Sequence, residues 1–309
     1  MIKSDRMERC GIMLFDSIRN KVQYERDKWR RARNQRAVKN CTAWQNVATM
    51  EQTLEQLMRT ECSLCRYGDG EYKVMAGLSN GFQQEDKALA RRLRQVLQSE
   101  EPGLLVCIPN ITDDMSLRTV EAADFWRWCI REWGGDFASF LKADKTYYNA
   151  HVTRLYMDYQ ACGRSAKWFK MLKQVWKDRP LLIVEGEKTR LGVGNDLFDG
   201  ARSVHRIICP SKSAFSCYQE IINTVKNVWN GELVLIALGQ TATVLAHDLH
   251  REGIRALDIG HIDIEYEWFL AGATKKTAVA GKFVKEVDDQ LSGVSDQQYE
   301  GQIVAKVGV

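Results

Sequence analysis

Apolar positions fall into two regimes along the chain. Residues 1–60 carry long charged side chains and no proline, and they read as helical. From Arg179 onward, compact apolar runs alternate with stretches of helical spacing. RPLLIVEGE, SVHRIIC, ELVLIALG and IRALDIG are the runs; CYQEIINTVKNVWNG and QTATVLAHDLHREG are the helical stretches. This strand–loop–helix–strand rhythm predicts a parallel sheet with crossover helices. Between the two regimes, SLCRYGDGEYKVM breaks the helical pattern with a Gly-rich turn. EDKALARRLRQVLQS (Glu85–Ser99) predicts a helix and GLLVCIPN a buried strand ending at Pro109. SLRTVEAADFWRWCIREWG predicts an amphipathic helix stopped by Gly134 and Gly135. From about Lys285 the chain is polar and weakly patterned. The expected division is a basic helical extension over 1–60, an α/β domain over 61–284, and a C-terminal appendage or tail over 285–309.

GHIDIEYEW (Gly260–Trp268) alternates strictly. As a strand it would turn His261, Asp263, Glu265 and Glu267 to one side and Ile262, Ile264, Tyr266 and Trp268 to the other. An ordinary half-buried strand has this pattern. So does a strand whose acids hold a cation.

Parallel sheets bind ligands at the carboxyl ends of their strands, and the loops of interest fall there. In RYGDGE, an extended backbone would point Asp69 and Glu71 the same way, and Gly68 and Gly70 would admit a ligand closely. Such a D-x-E pair suits magnesium or manganese, although Gly-Asp-Gly is also common turn chemistry. VEGEKTRLGVGND (Val184–Asp196) brings Lys188, Arg190, Gly192 and Gly194 after a strong strand, as a diphosphate would require. A plain surface loop has the same composition. ICPSKSAF offers Ser211, Lys212 and Ser213, and ALGQTATVLAHD offers Gly239 and Thr241 at a helix entrance; each alone is an ordinary turn into a helix. Arg154 could grip a phosphate, though a single Arg is usually structural. His247 and His250 read as ordinary helix residues.

Composition narrows the field without deciding it. Net charge is +4, but residues 1–40 hold 12 Lys/Arg and 5 Asp/Glu, a net of +7, which leaves −3 for the remainder. RDKWRRARNQR (Arg26–Arg36) reads as a solvated helix face or as a contact for an anionic membrane surface or a phosphate-bearing acceptor. No nucleic-acid motif is present. The nine cysteines follow no repeating spacing and read as reduced thiols, so a cytoplasmic location is expected, with the basic segment at the inner face of the membrane. The isolated Cys62/Cys65 pair reads as two small residues in or near a strand. No run approaches a membrane span, and GIMLF is too short for a signal-peptide core. The GxGxxG fingerprint of dinucleotide binding is missing, which argues against an NAD-dependent enzyme.

RYGDGE, VEGEKTRLGVGNDLF, RIICPSKSAF, LIALGQTATVLAHDL and ALDIGHIDIEYEWF, in this order, resemble the bacterial glycosyltransferases of the GT-D fold over roughly Glu61–Ala271. The resemblance implies a Rossmann-like, mostly parallel α/β core and a UDP-sugar donor such as UDP-glucose. It also implies a metal-associated DxE motif with Mn2+ or Mg2+, and a glycan, glycoprotein or glycolipid acceptor in surface polysaccharide or adhesin glycosylation. Asp263 and Glu265 are the favoured metal pair, Asp69 and Glu71 the alternative. Glu267 is the expected base, with His261 beside it. Donor-binding residues on the matching motifs are Arg66, Gly68, Asp69, Glu71, Arg154, Lys188, Arg190, Gly192, Gly194, Asn195, Asp196, Ser211, Lys212, Ser213, Gly239 and Thr241. Gln240 and Leu155 stand where the family pattern favours Pro, Ser213 where it has Asn, and Thr189 where it has Ser. A non-catalytic nucleotide-sugar or glycan-binding subunit is the competing expectation.

Overall fold

A computed structural model describes residues 2–111, 115–160, 162–284 and 297–309. The chain opens with α1 (Ile2–Asn40), α2 (Thr42–Gln45) and α3 (Met50–Arg59), so the helical reading of the first 60 residues holds. Thr49 starts α3 with a capping box. Its Oγ1 accepts from Gln52 N, and Gln52 Oε1 accepts from Thr49 N. Then follow β1 (Ser63–Arg66), α4 (Asp69–Met75), α5 (Lys87–Leu97), β2 (Leu104–Ile108), α6 (Val120–Phe140), β3 (Tyr148–Asn149) and α7 (Cys162–Trp176). The second half runs β4 (Pro180–Gly186), β5 (Ser203–Cys209), α8 (Tyr218–Val228), β6 (Leu233–Ala237), α9 (Gln240–Arg251), β7 (Ala256–Asp258) and α10 (Ile262–Leu270). It ends with α11 (Gln297–Gln302) and β8 (Ile303–Lys306).

Among the described residues eight strands form one sheet in the order β3-β2-β1-β7-β6-β4-β5-β8, and their pairings are parallel. Alternate strand residues feed two cores, one on each face. Leu182, Val184, Val234 and Ile236 pack with Leu89, Leu93, Ile221, Ala242 and Leu245. Leu181, Ile183, Leu233 and Leu235 pack with Leu54, Leu57, Phe169, Trp176, Ile262 and Trp268 on the other face. Strands buried on both faces read as continuous apolar runs, which is why they were legible in the sequence. Cys65 lies buried in β1 with Cys62 just before it, and both are free thiols, as the strand reading expected.

Two expectations change. The amphipathic helix does not stop at Gly134 and Gly135; α6 continues to Phe140. A Cβ on Gly134 would lie 2.6 Å from Val38 Cγ2, and one on Gly135 would lie 2.5 Å from Asn34 Oδ1. The glycines therefore serve the close crossing of α1 over α6, where Asn34 Nδ2 also donates to Arg131 O. The segment read as a C-terminal appendage supplies, in its described part, α11 and the edge strand β8. Pairing with β8 satisfies backbone groups of β5 that would otherwise be left at the sheet edge.

Candidate functional site

The connection from β4 leads outward to β5, whereas that from β6 leads through α9 to β7 on the opposite side. Strands β4 and β6 are neighbours, so the direction of winding reverses between them. Their carboxyl ends flank the crevice where an open parallel sheet accepts ligands.

The loop leaving β4 is clasped from beneath. Glu185 is fully buried; its Oε1 accepts from Arg206 Nη1 at 2.6 Å and its Oε2 accepts from Leu191 N at 2.7 Å. Arg206 Nη2 donates in turn to Leu191 O at 2.9 Å. The Tyr299 ring, contributed by α11, lies 4.9 Å from the Arg206 guanidinium and 5.1 Å from that of Arg190. Burial pushes the Glu185 carboxyl up, against the opposing pull of Arg206. This clasp holds Lys188 exposed and Arg190 half-buried, with Arg190 at φ +48°. Gly192 packs on Phe198 at φ +72°, and Gly194 is exposed at φ +82°.

Of the other predicted anion-binding turns, one touches this loop directly and two meet at Phe82. Ser211 Oγ accepts from Lys188 N at 3.2 Å. Ser213 takes a left-handed conformation, and its N–H donates to Phe82 O at 2.7 Å; Lys212 between them is exposed. Gly239 precedes α9 at φ +53°, with Phe82 Cβ 3.6 Å from where a side chain would begin. Thr241 and Gln240, in the first turn of α9, are buried, and Thr241 Oγ1 and Gln240 Oε1 have no hydrogen-bond partner among the described residues. Buried polar atoms without partners call for an explanation, and a ligand at this helix start supplies one.

Both acidic segments are helical, against the extended reading. Asp69 and Glu71 lie in the first turn of α4. Glu71 Oε2 accepts from Gly68 N at 2.7 Å, and Asp69 pairs with Lys73 at 2.8 Å. GHIDIEYEW forms α10, with His261 half-buried at its N-cap position. The physical reason is local. Strand β7 lies between β1 and β6, and past Asp258 the chain leaves the sheet without a strand to pair with. Its backbone N–H groups are then satisfied within a helix. The first-turn acids also suit the positive helix N-terminus.

Helix geometry redistributes the four polar residues. Asp263 and Glu267, four apart, share a face, and Asn195 Nδ2 donates to both at 2.7 Å. Glu265 points elsewhere. It is fully buried and accepts from Tyr156 N at 3.0 Å and Met157 N at 2.9 Å, with Arg154 Nη1 at 3.5 Å. Burial raises the carboxyls of both Asp263 and Glu265; Lys282 and Asn195 oppose the rise at Asp263, and Arg154 opposes it at Glu265. Asp196 turns away from the acids to Lys173 and the Tyr266 hydroxyl. His247 and His250 keep structural partners, Asp248 for the first and Ser63 and Pro102 for the second.

Neither D-x-E pair converges on one point, so neither fits a shared divalent cation in this arrangement. Glu71 is spent on a backbone N–H, and Glu265 on two. The acids that do converge, Asp263 and Glu267, have the Lys282 ammonium between them, 2.7 Å from Asp263 Oδ2 and 2.7 Å from Glu267 Oε1. Among the described residues, no group of three or more His, Cys, Asp or Glu side chains is arranged to hold a metal.

Several site residues escaped the sequence reading. Asp258, at the end of β7, pairs with Arg66 at 2.9 Å and accepts from Thr243 Oγ1 at 3.3 Å. Arg66 in turn lies so close over Gly260 that a Cβ there would be 1.9 Å from its Nη2. Asp258 and Glu185 each carried a signal, a lone carboxylate closing an apolar run. Arg206, Lys282 and Tyr299 carried none.

A family profile described as "Glycosyltransferase GT-D fold" matches residues 64–287. The chain belongs to that family. It is 40% identical over 265 residues to the "Probable glycosyl transferase Gly" of Streptococcus gordonii. It is 39% identical over 264 residues to "Glycosyltransferase GlyD" of Streptococcus pneumoniae serotype 4. These alignments take 85% and 84% of this chain but only 39% and 32% of the two relatives, so the GT-D chain spans about two fifths and one third of their lengths. A solved structure described as "The highly conserved domain of unknown function 1792 has a distinct glycosyltransferase fold" is similar with a TM-score of 0.83. It is 35% identical and is aligned over 90% of this chain and 99% of that one. A further structure, a glycosyltransferase from Streptococcus sanguinis, is similar with a TM-score of 0.82 and 40% identity, over 85% and 99% of the two chains.

Proposed function

We propose that this GT-D chain moves a hexose from a nucleotide-diphosphate sugar, UDP-glucose or a similar UDP-hexose, to a hydroxyl of a glycan, glycoprotein or glycolipid acceptor. The pathway would be bacterial surface polysaccharide or adhesin glycosylation. The observation that carries the reading is the crevice between β4 and β6. There α9 opens after β6 with Thr241 Oγ1 and Gln240 Oε1 buried and without a hydrogen-bond partner among the described residues, and the braced loop bearing Lys188 and Arg190 leaves the neighbouring strand β4. Backbone N–H groups at a helix start together with cations are what a diphosphate requires. Phe82, beside Gly239, lies edge-on to Phe283 at 6.0 Å and supplies an apolar wall for a base.

In the reaction, the bond between the anomeric carbon and the β-phosphate oxygen breaks, and the nucleoside diphosphate leaves with that electron pair. The acceptor oxygen bonds to the anomeric carbon, and its proton passes to a carboxylate. Glu267 is the candidate base: it is the more open member of the convergent acid pair, and Asn195 fixes its orientation. Lys188, Arg190 and Lys212 would offset the charge gathering on the departing diphosphate. Calorimetry with a panel of UDP-hexoses, followed by assay of UDP release with Lys188→Ala and Glu267→Gln, tests this. Donor binding lost with Lys188→Ala, and turnover lost with Glu267→Gln while binding persists, are the expected results. No binding of any UDP-hexose would sink the reading. Binding without turnover, indifferent to Glu267→Gln, would leave the non-catalytic subunit, which the engagement of Glu267 by Lys282 favours.

The basic segment enters the same proposal as a docking face for anionic lipid. Trp29 is 75% exposed on α1 among Arg26, Lys28, Arg30 and Arg33, with Val22 and Tyr24 exposed one to two turns earlier. Among the described residues no helix is long and apolar enough to cross a membrane. Co-sedimentation with phosphatidylglycerol vesicles, weakened by salt and by Trp29→Ala, is the expected behaviour. Equal sedimentation with neutral vesicles would remove lipid charge from the account.

A further inference from the structure

Lys282 is the least expected member of the site. Its side chain is 3% exposed, yet it arrives from an irregular segment after α10 rather than from a helix or strand. Two contacts fix that segment locally. Lys282 N donates to Val279 O at 3.1 Å, and Phe283 N donates to Lys188 O at 3.1 Å. The second contact lays the segment directly on the β4 loop, and Val284 anchors it in the core beneath the sheet. The ammonium therefore reaches the acid pair from a segment hydrogen-bonded to the β4 loop.

The charges at this point do not balance without it. Asp263 and Glu267 face one another across one helix turn, and Asn195 satisfies one oxygen of each without neutralising either. Two carboxylates this close repel strongly where water is excluded, and a cation between them relieves the repulsion. Lys282 Nζ sits 2.7 Å from an oxygen of each. A compact ammonium on a flexible stem can be withdrawn, unlike a guanidinium locked in a bidentate fork.

We infer that Lys282 is the resident counter-cation of the Asp263/Glu267 pair, and that it excludes divalent cations from that pair. The acids favoured in the sequence reading for metal binding would then be reached by a divalent cation only in competition with the chain's own lysine. The counter-ion role stands on this geometry alone; its consequence for sugar transfer rests on the glycosyltransferase reading.

The test needs no donor and no acceptor, so its failure is distinct from failure of the functional proposal. Free Mn2+ is followed by electron paramagnetic resonance while it is titrated against the wild-type chain, Lys282→Met, Lys282→Arg and the double variant Lys282→Met/Asp263→Asn. Thermal melting is recorded with and without Mn2+. Lys282→Met is expected to gain one Mn2+ site at least about tenfold tighter than the wild type, because an uncompensated pair of close carboxylates attracts a dication strongly. Lys282→Arg should behave as the wild type, and the double variant should lose the gained site. Mn2+ should raise the melting temperature of Lys282→Met and leave that of the wild type in place. If Lys282→Met folds only when Mn2+ is added, the inference is equally supported. It is overturned if Lys282→Met neither binds Mn2+ more tightly nor is stabilised by it. It is also overturned if the wild type already holds Mn2+ tightly at a site that Asp263→Asn removes.

Discussion

RYGDGE and GHIDIEYEW carry the same D-x-E spacing, and both place it in the first turn of a helix, yet they use it in opposite ways. In α4 the acids act locally. Glu71 returns to the backbone three residues earlier, and Asp69 pairs one turn ahead with Lys73 at the surface. In α10 the acids act across the molecule. Asp263 reaches Asn195 and Lys282, and Glu265 reaches the backbone at Tyr156 and Met157. The difference is where the partners lie. Glu71, though desolvated, finds its donor three residues away, whereas Asp263 and Glu265 must have theirs held in place by the fold.

The sharpest way to break this contrast is Glu265→Ala. It strands two buried N–H donors and takes the carboxylate from Arg154, and it should cost about 3–5 kcal/mol in urea unfolding. A loss under about 1 kcal/mol would place Glu265 with the surface acids. Asn195→Ala comes next. Removing a hydrogen bond shared by two carboxylates should cost about 1.5–3 kcal/mol, and the additional loss of Asp263 should be less than additive with it. Additive losses would mean that Asn195 and Asp263 act separately.

A smaller effect separates Glu71 from its neighbour Asp69 by pH. Burial, and then the nearby Asp258, push Glu71 from the ordinary 4.5 up to about 7. Between those values the native chain holds a proton that the unfolded chain has lost. Stability from this group is therefore present on the acid side and declines as pH rises through the window. Glu71→Gln should remove that part of the decline while keeping an acceptor for Gly68 N. An unchanged slope between pH 4.5 and 7 in unfolding free energy would count against it. The smallest effect is expected from Asp69→Asn, about 0.3–0.5 kcal/mol, because the Lys73 pair is partly open to water and only one turn long.

Much of the fold was legible because buried parallel strands leave an unmistakable run of apolar residues. LLIVEG and LVLIA could scarcely be anything else between glycines and helical stretches. The placement of candidate loops at strand ends followed from the same rhythm, and Lys188 and Ser211, on the loops after β4 and β5, do meet. The alternation of GHIDIEYEW misled, because period two is also what a short helix shows when apolar residues cover most of its circumference. Ile262, Ile264, Tyr266 and Trp268 are buried as expected, but in α10 Asp263 and Glu265 are buried with them. Nothing local in nine residues separates these cases.

The sequence by itself determined the class of fold, the order of most of its strands and helices, and which loops emerge at the carboxyl ends of the strands. Those properties follow from which side chains avoid water and at what spacing. Only the tertiary structure decided which acids meet. Glu185 finds Arg206 across two strands, Glu265 finds a backbone turn more than a hundred residues away, and Lys282 enters between Asp263 and Glu267 from a segment with no pattern of its own. Charges in a sequence carry no address. Their partners are chosen by the packing that brings distant segments together and excludes water around them.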